Sequence, residues 1–380
     1  MVELDERLRA LRGAAAETAG ELRAHAAALD AAPHDLKPHL GVAAFDLIRR
    51  CTTPQRFGGE PLRVGRHAFT TGSSLETLVW MTELAHGDAG MVLAAPGPSL
   101  AGILLDQLGD QAQQEYFHRA VARDAVWAFF AVTEPGHGSD AGAMESTLHR
   151  TADIHLLNGA KRFIGNGARG EIGVVFARTG SGPLSVRAAL VEAADPGFRA
   201  RELDMVGLRG AALGAIELRD VPVPEDRLLA RHLPATRRGL WGAVRVFNTV
   251  RPQVAALAVG TGLACLDLVR AERPQAPGLA EVAGRLESCR RLVYAAGAAL
   301  DRDRDDAVLS SAAKVAAVAA ARAACRFAVR SLGPAALVDH PLLEKWYRDV
   351  GAFEFMEGTS DIQRLHVARA EVRGRTGGRR

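Results

Sequence analysis

The spacing of apolar residues divides the chain into three sections. In residues 1–126 apolar side chains recur every three or four positions, as in "LDERLRALRGAAAETAGELRAHAAAL" and "SLETLVWMTELAHGDAGMVLAA", which is the period of amphipathic helices. Proline and glycine interrupt this pattern at 54, 58–59 and 96–98, where we expect loops. We therefore predict an N-terminal helical domain over residues 1–126.

The pattern changes at residue 127 to short runs that alternate between apolar and polar residues. "AVWAFFAV", "EIGVVFART", "VRAALVEA" and "GAIELRDVPVP" are rich in β-branched and aromatic residues and are bounded by Gly, Asn or Pro, as strands are. No helical pattern of 10 to 15 residues separates them, which argues against a parallel α/β sheet. We predict a central antiparallel β-barrel or sandwich domain over residues 127–235.

Helical spacing returns over residues 236–380. "GLWGAVRVFNTVRPQVAALAVGTGLACLDLVRAE" is followed by three further amphipathic segments with short connections, the last being "LLEKWYRDVGAFEFMEGTSDIQRLHVARAEV". Four such helices predict a C-terminal four-helix bundle. The fold class is therefore α+β, in the order helices, strands, helices.

Composition and charge exclude several classes of partner. The chain has 380 residues, with 47 basic and 44 acidic side chains and a net charge of +3, and no basic run is interleaved with aromatics, so we expect no nucleic-acid partner. The longest apolar segment, about 255–269, is interrupted by Asp267 and is shorter than a membrane span. The four cysteines have no disulfide or metal spacing. With no signal-peptide stretch in the first residues, we expect a cytoplasmic protein with reduced thiols and no membrane anchor.

Three short matches to chemical motifs are weak. "GHGSDA", residues 136–141, has the glycine spacing of a dinucleotide-binding turn, but "MESTLHRTADIHLLNG" after it predicts a strand rather than the required helix. "SAAK", residues 311–314, matches a Ser-x-x-Lys nucleophile pattern, yet it lies in an alanine-rich helix without partner motifs. The twelve histidines show no paired ligand spacing. We interpret the first two as chance matches and expect no metal site.

The acidic segment "FEFMEGTSDIQR" has two interpretations. Glu354, Glu357 and Asp361 are the solvated carboxylates of a helix end in the more common case. Alternatively, Glu357 follows Phe355 and Met356, and a carboxylate among apolar residues is desolvated, which raises its pKa and makes it a better base. Gly358 would then allow a ligand to approach the backbone closely.

Two longer stretches resemble the signature sequences of the acyl-CoA dehydrogenases. "VTEPGHGSDAGAM" is similar to the first signature and "MEGTSDIQRLHVARA" to the second. Between them, "NGAKRFIGNGA" and "GLRGAALGAIELRDVPVPEDRLL" resemble segments of the family's β domain, and "FNTVRPQVAALAVGTGLACLDL" resembles the start of its C-terminal bundle. The resemblance covers nearly the whole chain in order and agrees with the pattern of helices, strands and helices.

The resemblance implies an enzyme that binds FAD and desaturates an acyl thioester between Cα and Cβ. Glu357 is the implied base for the α-proton, while flavin N5 accepts the β-hydrogen as hydride. The backbone N–H of this glutamate donates to the thioester oxygen in the family, together with a ribityl hydroxyl. Some relatives carry the base at the position of Val250, and because valine cannot accept a proton, this departure favours Glu357.

The resemblance also implies which residues surround the cofactor and the substrate. Val132 and Thr133 would bond the pyrimidine edge of the flavin, and Ser139 would lie near the pyrophosphate or pantetheine arm. The other implied FAD contacts are Phe163, Ile164, Gly165, Arg273, Thr359 and Asp361, and the implied substrate contacts are Phe130, Asn248, Arg251 and Gly358.

Three departures from the family pattern leave alternatives open. Gly165 stands where the family usually has Thr or Ser beside flavin N5, a version that some acyl-CoA oxidases share. "AERPQAPGLAEVAG" retains Arg273 but lacks the family's Phe-Gly, which leaves the contacts to the adenosine end of FAD and the usual tetramer open. Asn248 replaces an acid often found before the arginine, and weakened nucleotide contacts would fit an acyl-carrier-protein thioester.

We therefore expect an FAD-dependent oxidoreductase that acts on an acyl-CoA or acyl-carrier-protein thioester. Its expected partners are an electron-transfer flavoprotein or another electron acceptor and further copies of itself, in a homodimer or homotetramer. One alternative is an oxygen-using flavoenzyme of the same fold, either an acyl-CoA oxidase or a flavin hydroxylase. The other is a paralogue without flavin that serves as a scaffold.

Overall fold

The N-terminal section is largely helical, as its periodicity predicts. The computed structural model describes residues 2–123, 125–182 and 184–377, with side chains to residue 372. The helices are α1 (Glu6–Ala31), α2 (Ala43–Thr52), α3 (Ser74–Ala94), α4 (Ser99–Leu108) and α5 (Gln111–Val121). A small antiparallel hairpin, β1 (Leu62–Val64) with β2 (His67–Phe69), interrupts them. Its three-residue strands are too short to give a period, so the sequence pattern did not predict it.

The central section forms one curled, seven-stranded sheet. Its strands are β3 (Ala128–Ala131), β4 (Thr147–Arg150), β5 (Ile154–Ile164), β6 (Ile172–Arg178), β7 (Val186–Glu192), β8 (Phe198–Glu202) and β9 (Gly214–Pro224). They lie in the order β3-β6-β4-β5-β9-β8, with β7 paired to β6. Most neighbours are antiparallel, but β6 runs parallel to β3 and to β4. The prediction of an antiparallel sheet therefore needs correction at β6, which is reached by a connection through the β4–β5 hairpin.

The C-terminal section forms the predicted helical bundle, with one change in its last helix. It contains α6 (Leu240–Glu272), α7 (Leu279–Arg302), α8 (Ala307–Leu332), α9 (Ala336–Asp339), α10 (Pro341–Ala352) and α11 (Ser360–Gly377). The segment predicted as one final helix is split by residues 353–359 into α10 and α11. This break contains Glu357, and we call residues 353–359 the base loop.

Helix α6 belongs to two hydrophobic cores. Val246 and Val250 pack in a core with α4 and the sheet, whereas Val254 and Leu266 pack in the core of the helical domains. Among the described residues, two helices, Ala235–Glu272 and Ala307–Leu332, could cross a membrane by length and composition, but 72% and 56% of their most apolar windows are buried inside the protein. The helical bundle explains that apolarity, because α6 places one half against the sheet and the other among helices.

Candidate active site

The base loop has a backbone that few residues adopt. Glu357 has φ +54° and Gly358 has φ +92°, both in the left-handed region that side chains with a Cβ disfavour. A Cβ on Gly358 would lie only 2.6 Å from Nε2 of Gln363. Non-glycine residues in this region are uncommon and cluster at functional sites. The loop therefore directs Glu357 in a way that α10 and α11, as regular helices, could not.

Side chains from α8 and α11 hold the loop by its carbonyl oxygens. The Lys314 ammonium donates to the carbonyl of Glu354 at 2.9 Å and to that of Gly358. The Gln363 amide donates to the carbonyls of Glu357 at 3.1 Å and Gly358 at 3.3 Å. Ser311 in turn donates to Gln363 Oε1 at 2.9 Å.

These contacts revise the interpretation of "SAAK". Its serine and lysine are both buried. Interpreting the match as chance nevertheless missed their role, because Lys314 bonds the base loop directly and Ser311 bonds Gln363, which bonds the loop. Their spacing of three places them on one face of α8, a signal that the sequence did contain.

Helix α6 contributes a second cation to the loop. Arg251 Nε donates to the Glu357 carbonyl at 3.3 Å, and its Nη1 donates to Asn248 Oδ1 at 2.8 Å. Both side chains are buried. The structure thus brings the predicted substrate residues Asn248, Arg251 and Gly358 together around Glu357. Asn248 orients the guanidinium, and the guanidinium contacts the main chain of the implied base.

The three acids of this segment have different surroundings. Glu354 accepts hydrogen bonds from the backbone and hydroxyl of Ser360, and Asp361 is exposed and paired with Arg364. Glu357 retains some contact with solvent but is densely surrounded by protein. Burial raises the pKa of Glu357 to about 7, against the opposing charges of Arg251 and Lys314. This geometry favours the desolvated base over the solvated carboxylate.

A second loop, residues 132–146, begins at the end of β3, and we call it the strand-end loop. The Lys161 ammonium donates to the carbonyl of Val132 at 3.2 Å and to Glu134 Oε1 at 2.8 Å. The backbone N–H of Arg162 donates to the carbonyl of Thr133 at 2.9 Å. These contacts fix both predicted flavin residues, Val132 and Thr133, to strand β5.

Glu134 organises the rest of the strand-end loop. Its carboxylate accepts hydrogen bonds from the backbone N–H groups of Glu145 and Ser146 and from the Ser146 hydroxyl. Burial acts to raise the pKa of Glu134, but the Glu145 N–H, Lys161 and Ser146 outweigh it and lower this pKa to about 2. Sequence reasoning missed Lys161 and Glu134. The available signal was a lysine within a strand, where a buried charge is rarely unpaired. Glu134 lies in the strand-end loop, where no such signal exists.

The turn after β5 presents an open surface. Phe163 is 51% exposed and has φ +58°, with the Arg162 guanidinium above its ring at 5.1 Å. The next residue, Ile164, is buried, and a Cβ on Gly165 would meet no atom within 4 Å. An exposed aromatic ring beside open space is suited to stacking against a planar ring such as isoalloxazine. The residues present here fit the flavin that the sequence implies.

Helix α6 links the strand-end loop to the base loop. Phe130, at the end of β3, makes edge-on contacts with Phe176 of β6 and Phe247 of α6 at centroid distances of 5.3 and 5.9 Å. One residue beyond Phe247, Asn248 orients the arginine that contacts Glu357. The predicted pocket-lining residue Phe130 therefore lies on the packed surface that joins the two loops.

The remaining predicted cofactor residues are more dispersed. Thr359 directly precedes α11, and its hydroxyl accepts from the Ile362 N–H at 3.4 Å. Ser139 is exposed on the strand-end loop. Arg273 follows the end of α6, about 33 Å from Arg251 along the helix axis. It lines a surface cavity of about 570 Å³ with Phe327 and Arg330. Arg273 therefore does not share a site with Glu357 in this chain.

The remaining sequence motifs concern dinucleotide and metal binding. "GHGSDA" runs into the three-residue helical turn Ala141–Ala143 and then strand β4, so the long helix of a dinucleotide-binding turn does not follow. No group of three or more histidine, cysteine, aspartate or glutamate residues in the described part of the chain could hold a metal ion. The four cysteines are free and buried.

Comparisons with known proteins match both the fold and the two loops. The family model "Acyl-CoA dehydrogenase, middle domain" matches residues 129–221, and "Acyl-CoA dehydrogenase, C-terminal domain" matches residues 237–372. The chain is 30% identical to the short-chain specific acyl-CoA dehydrogenase of Rattus norvegicus over 78% of this chain and 76% of that protein. It is 29% identical to the caffeyl-CoA reductase-Etf complex subunit CarC of Acetobacterium woodii over 78% and 82% of the two chains. A solved glutaryl-coenzyme A dehydrogenase in complex with glutaryl-CoA superposes with a TM-score of 0.86 at 25% identity, covering 98% and 96%.

Proposed function

The chain belongs to the acyl-CoA dehydrogenase family of FAD-dependent oxidoreductases, and from this premise we propose that it desaturates an acyl thioester with Glu357 as the base. The observation that carries the proposal is the geometry of the base loop. Its left-handed backbone presents the Glu357 carboxyl, whose pKa is raised by burial. Glu354 instead bonds Ser360, and Asp361 pairs with Arg364. Glu357 has a raised pKa and forms no side-chain hydrogen bond or ion pair with the described residues.

Proton abstraction α to a thioester carbonyl needs two contributions from the protein. The first is a base whose pKa lies near the working pH, which the Glu357 carboxylate provides. The second is a donor to the carbonyl oxygen, where negative charge develops. Within the described part of the chain the backbone N–H of Glu357 donates to no protein acceptor, so it is free to bond the thioester oxygen.

The neighbouring side chains hold the carboxylate and the backbone N–H of Glu357 in place. Arg251 and Gln363 both bond the Glu357 carbonyl, which fixes the orientation of the peptide plane on its C-terminal side. FAD supplies, when bound, the acceptor for the hydride that leaves the β-carbon. Val132, Thr133, Phe163 and Gly165 offer its ring system backbone groups, an exposed aromatic face and open space. Val250 is buried and apolar, which removes the other position at which relatives carry a base.

The electron acceptor and the carrier of the acyl group belong to the same proposal. An electron-transfer flavoprotein is supported by the relative whose name places it in a complex with Etf. For the acyl carrier, Asn248 is a neutral amide whose oxygen accepts from Arg251, so it offers no charge to a CoA nucleotide. Acyl-CoA and acyl-carrier-protein thioesters both remain candidate substrates, and the experiment below separates them.

A second candidate, an oxygen-using oxidase, is favoured by one observation. Gly165 has no atom within 4 Å of the position its Cβ would occupy, whereas a threonine or serine there would place a hydroxyl beside the flavin. An open site at this position gives a small molecule such as oxygen room to reach the ring. Peroxide formation under air after flavin reduction distinguishes the oxidase from the dehydrogenase.

The deciding experiment is an anaerobic titration of the purified flavoprotein with acyl-CoA and acyl-carrier-protein thioesters, followed by bleaching of the flavin. We expect one class of thioester to bleach the wild-type flavin. Glu357→Gln should bind FAD equally well and slow bleaching by about 10²- to 10⁴-fold, the usual contribution of a general base. Glu281→Gln, an exposed acid at the start of α7, is the matched control and should react at the wild-type rate. The proposal is wrong if no thioester bleaches the wild type or if Glu357→Gln keeps its rate.

A further inference from the structure

Four elements place charged or titratable groups around Glu357. Arg251 lies on α6, Lys314 and Arg322 on α8, Glu354 in the base loop itself, and His366 and Arg369 on α11. Arg322 is half-exposed and 3.9 Å from the Glu354 carboxylate. The pKa of His366 is lowered by burial and by Arg251 and Arg369, so it is neutral near pH 7. The buried cations that act on Glu357 are thus Arg251 and Lys314.

Lys314 is the more unusual of these two cations. Its side chain is fully buried, although lysine is almost never buried unless paired. No carboxylate in the described part of the chain lies within ion-pair distance of its ammonium, whose hydrogen bonds go to the carbonyl oxygens of Glu354 and Gly358. These two carbonyls flank Glu357, three residues before it and one residue after it. The ammonium therefore bridges the two sides of the turn that carries the base.

We propose that Lys314 is a positioning residue for Glu357, which fixes the base loop through two carbonyl oxygens and supplies a positive charge that favours the ionised carboxylate. The inference rests on the proposed role of Glu357 as base. Carbonyl oxygens satisfy the hydrogen-bond donors of an ammonium but do not neutralise its charge. That charge consequently remains available to act on the nearby carboxylate in a poorly solvated site, where electrostatic interactions are stronger than in water.

Because Lys314 itself can lose its proton, its effect on Glu357 depends on pH. Burial lowers the pKa of Lys314 to about 8, although Glu354 and Glu357 act to raise it. Burial lowers the pKa of Arg251 to about 10, so the arginine stays charged when the lysine begins to lose its proton. Near pH 7 both cations face Glu357. Above about pH 8 Lys314 becomes neutral and the base loop loses one of its two charged contacts.

The test measures the carboxyl of Glu357 directly, in the flavoprotein without thioester. Glutamate is labelled with ¹³C at Cδ, the Glu357 resonance is identified by its loss in Glu357→Gln, and its midpoint is followed by NMR against pH. Lys314→Met and Lys314→Gln both remove the charge, and the glutamine keeps N–H donors. We expect each to raise the Glu357 midpoint by about one pH unit. Lys314→Arg retains the charge and should return the midpoint to within a few tenths of a unit of wild type.

Ser311→Ala is the control that perturbs the anchor without a change in charge. It removes the hydrogen bond to Gln363 Oε1 and should leave the midpoint unchanged. An unchanged midpoint in folded, flavin-bound Lys314→Met or Lys314→Gln overturns the inference, as does an equal shift in Ser311→Ala. Failure of every thioester to bleach the wild-type flavin would refute the proposed function instead, and it would leave this measurement of Lys314 intact.

Discussion

The strand-end loop and the base loop are anchored in the same way, each by one buried lysine that bonds backbone carbonyl oxygens. Lys161 bonds the carbonyl of Val132, and Lys314 bonds those of Glu354 and Gly358. The difference lies in the carboxylates. Lys161 also contacts Glu134 at 2.8 Å, whereas the described residues offer Lys314 no carboxylate within ion-pair distance. One lysine is therefore neutralised by its partner, and the other keeps a net charge.

The presence or absence of a carboxylate beside the lysine fits the group that each loop presents. A loop that holds a flavin edge needs fixed backbone groups, and a closed pair of Lys161 and Glu134 gives rigidity with little external field. A loop that presents a base needs a carboxyl whose pKa is adjusted, and an ammonium without a carboxylate partner acts on that pKa. The pKa of the Glu134 carboxyl lies at about 2, because the Glu145 N–H, Lys161 and Ser146 outweigh burial, whereas that of Glu357 lies at about 7, because burial outweighs Arg251 and Lys314. The same residue type thus has two electrostatic consequences, depending on whether a carboxylate neutralises it.

Breaking the neutralised pair should have the largest effect on stability. Lys161→Met leaves the buried Glu134 carboxylate without its counter-charge, which typically costs about 3–5 kcal/mol. Lys314→Met leaves only carbonyl oxygens unpaired and should cost about 1–3 kcal/mol. Urea unfolding of the two variants, followed by circular dichroism, measures both free energies of unfolding.

The double variant Lys161→Met/Glu134→Gln provides the control for this contrast. If the cost arises from an unpaired buried charge, removing the second charge should recover part of the stability lost in Lys161→Met. No recovery in the double variant, or a larger loss in Lys314→Met than in Lys161→Met, would contradict the distinction between the two anchors.

The opposite pKa directions also predict opposite dependences of stability on pH. The folded-state pKa of Glu134 lies below its ordinary value of 4.5, so its stabilising contribution is present above pH 4.5 and is lost as the pH falls toward 2. The magnitude is about 2–3 kcal/mol. The folded-state pKa of Glu357 lies above 4.5, so its contribution is present at low pH and is lost as the pH rises through about 7.

Free energies of unfolding at pH 3, 5 and 8 measure these two contributions. Relative to wild type, Glu134→Gln should lose less stability between pH 5 and pH 3. Glu357→Gln should lose less between pH 5 and pH 8, by a smaller amount because Glu357 keeps some contact with solvent. The assignment of the two carboxyl groups is wrong if the two variants follow the wild-type curve over their respective ranges.

The sequence predicts those features of the molecule that depend on a local pattern of residues. Helical and alternating periods identify the three sections because each period repeats within one element. The loops themselves were found by resemblance, through "VTEPGHGSDAGAM" and "MEGTSDIQRLHVARA". The left-handed backbone of Glu357 has no local signal, because glutamate does not favour that conformation. The apolar spacing of the last helix likewise continues through the base loop and conceals the break.

The anchors depend on contacts between distant residues and were not predicted. Lys161 is 27 residues from Glu134, and Lys314 is 40 and 44 residues from the two carbonyls it bonds. A single sequence contains no record of such pairs. The parallel pairing of β3 with β6 was missed for the same reason, since strand direction depends on the path of the chain between strands.

The smallest effect that we predict concerns Gly358. Alanine there must adopt φ near +92° and would place its Cβ 2.6 Å from Gln363 Nε2. The clash is with the end of a flexible side chain, so we expect Gln363 to move and the protein to lose about 1–2 kcal/mol of stability. The displaced amide would also release the Glu357 carbonyl, so flavin bleaching by thioester should slow even where the protein remains folded.

Gly351→Ala is the matched control for this substitution. Gly351 lies in α10, seven residues earlier, with no atom within 4 Å of a Cβ position and no positive φ. Alanine should stabilise the helix there by about 0.5–1 kcal/mol and leave bleaching unchanged. Thermal unfolding measures the stability of both variants, and stopped-flow mixing with thioester measures their rates of flavin bleaching. Equal behaviour at the two positions would mean that neither the left-handed turn at Gly358 nor its close approach to Gln363 holds the base, because these two features distinguish the two glycines.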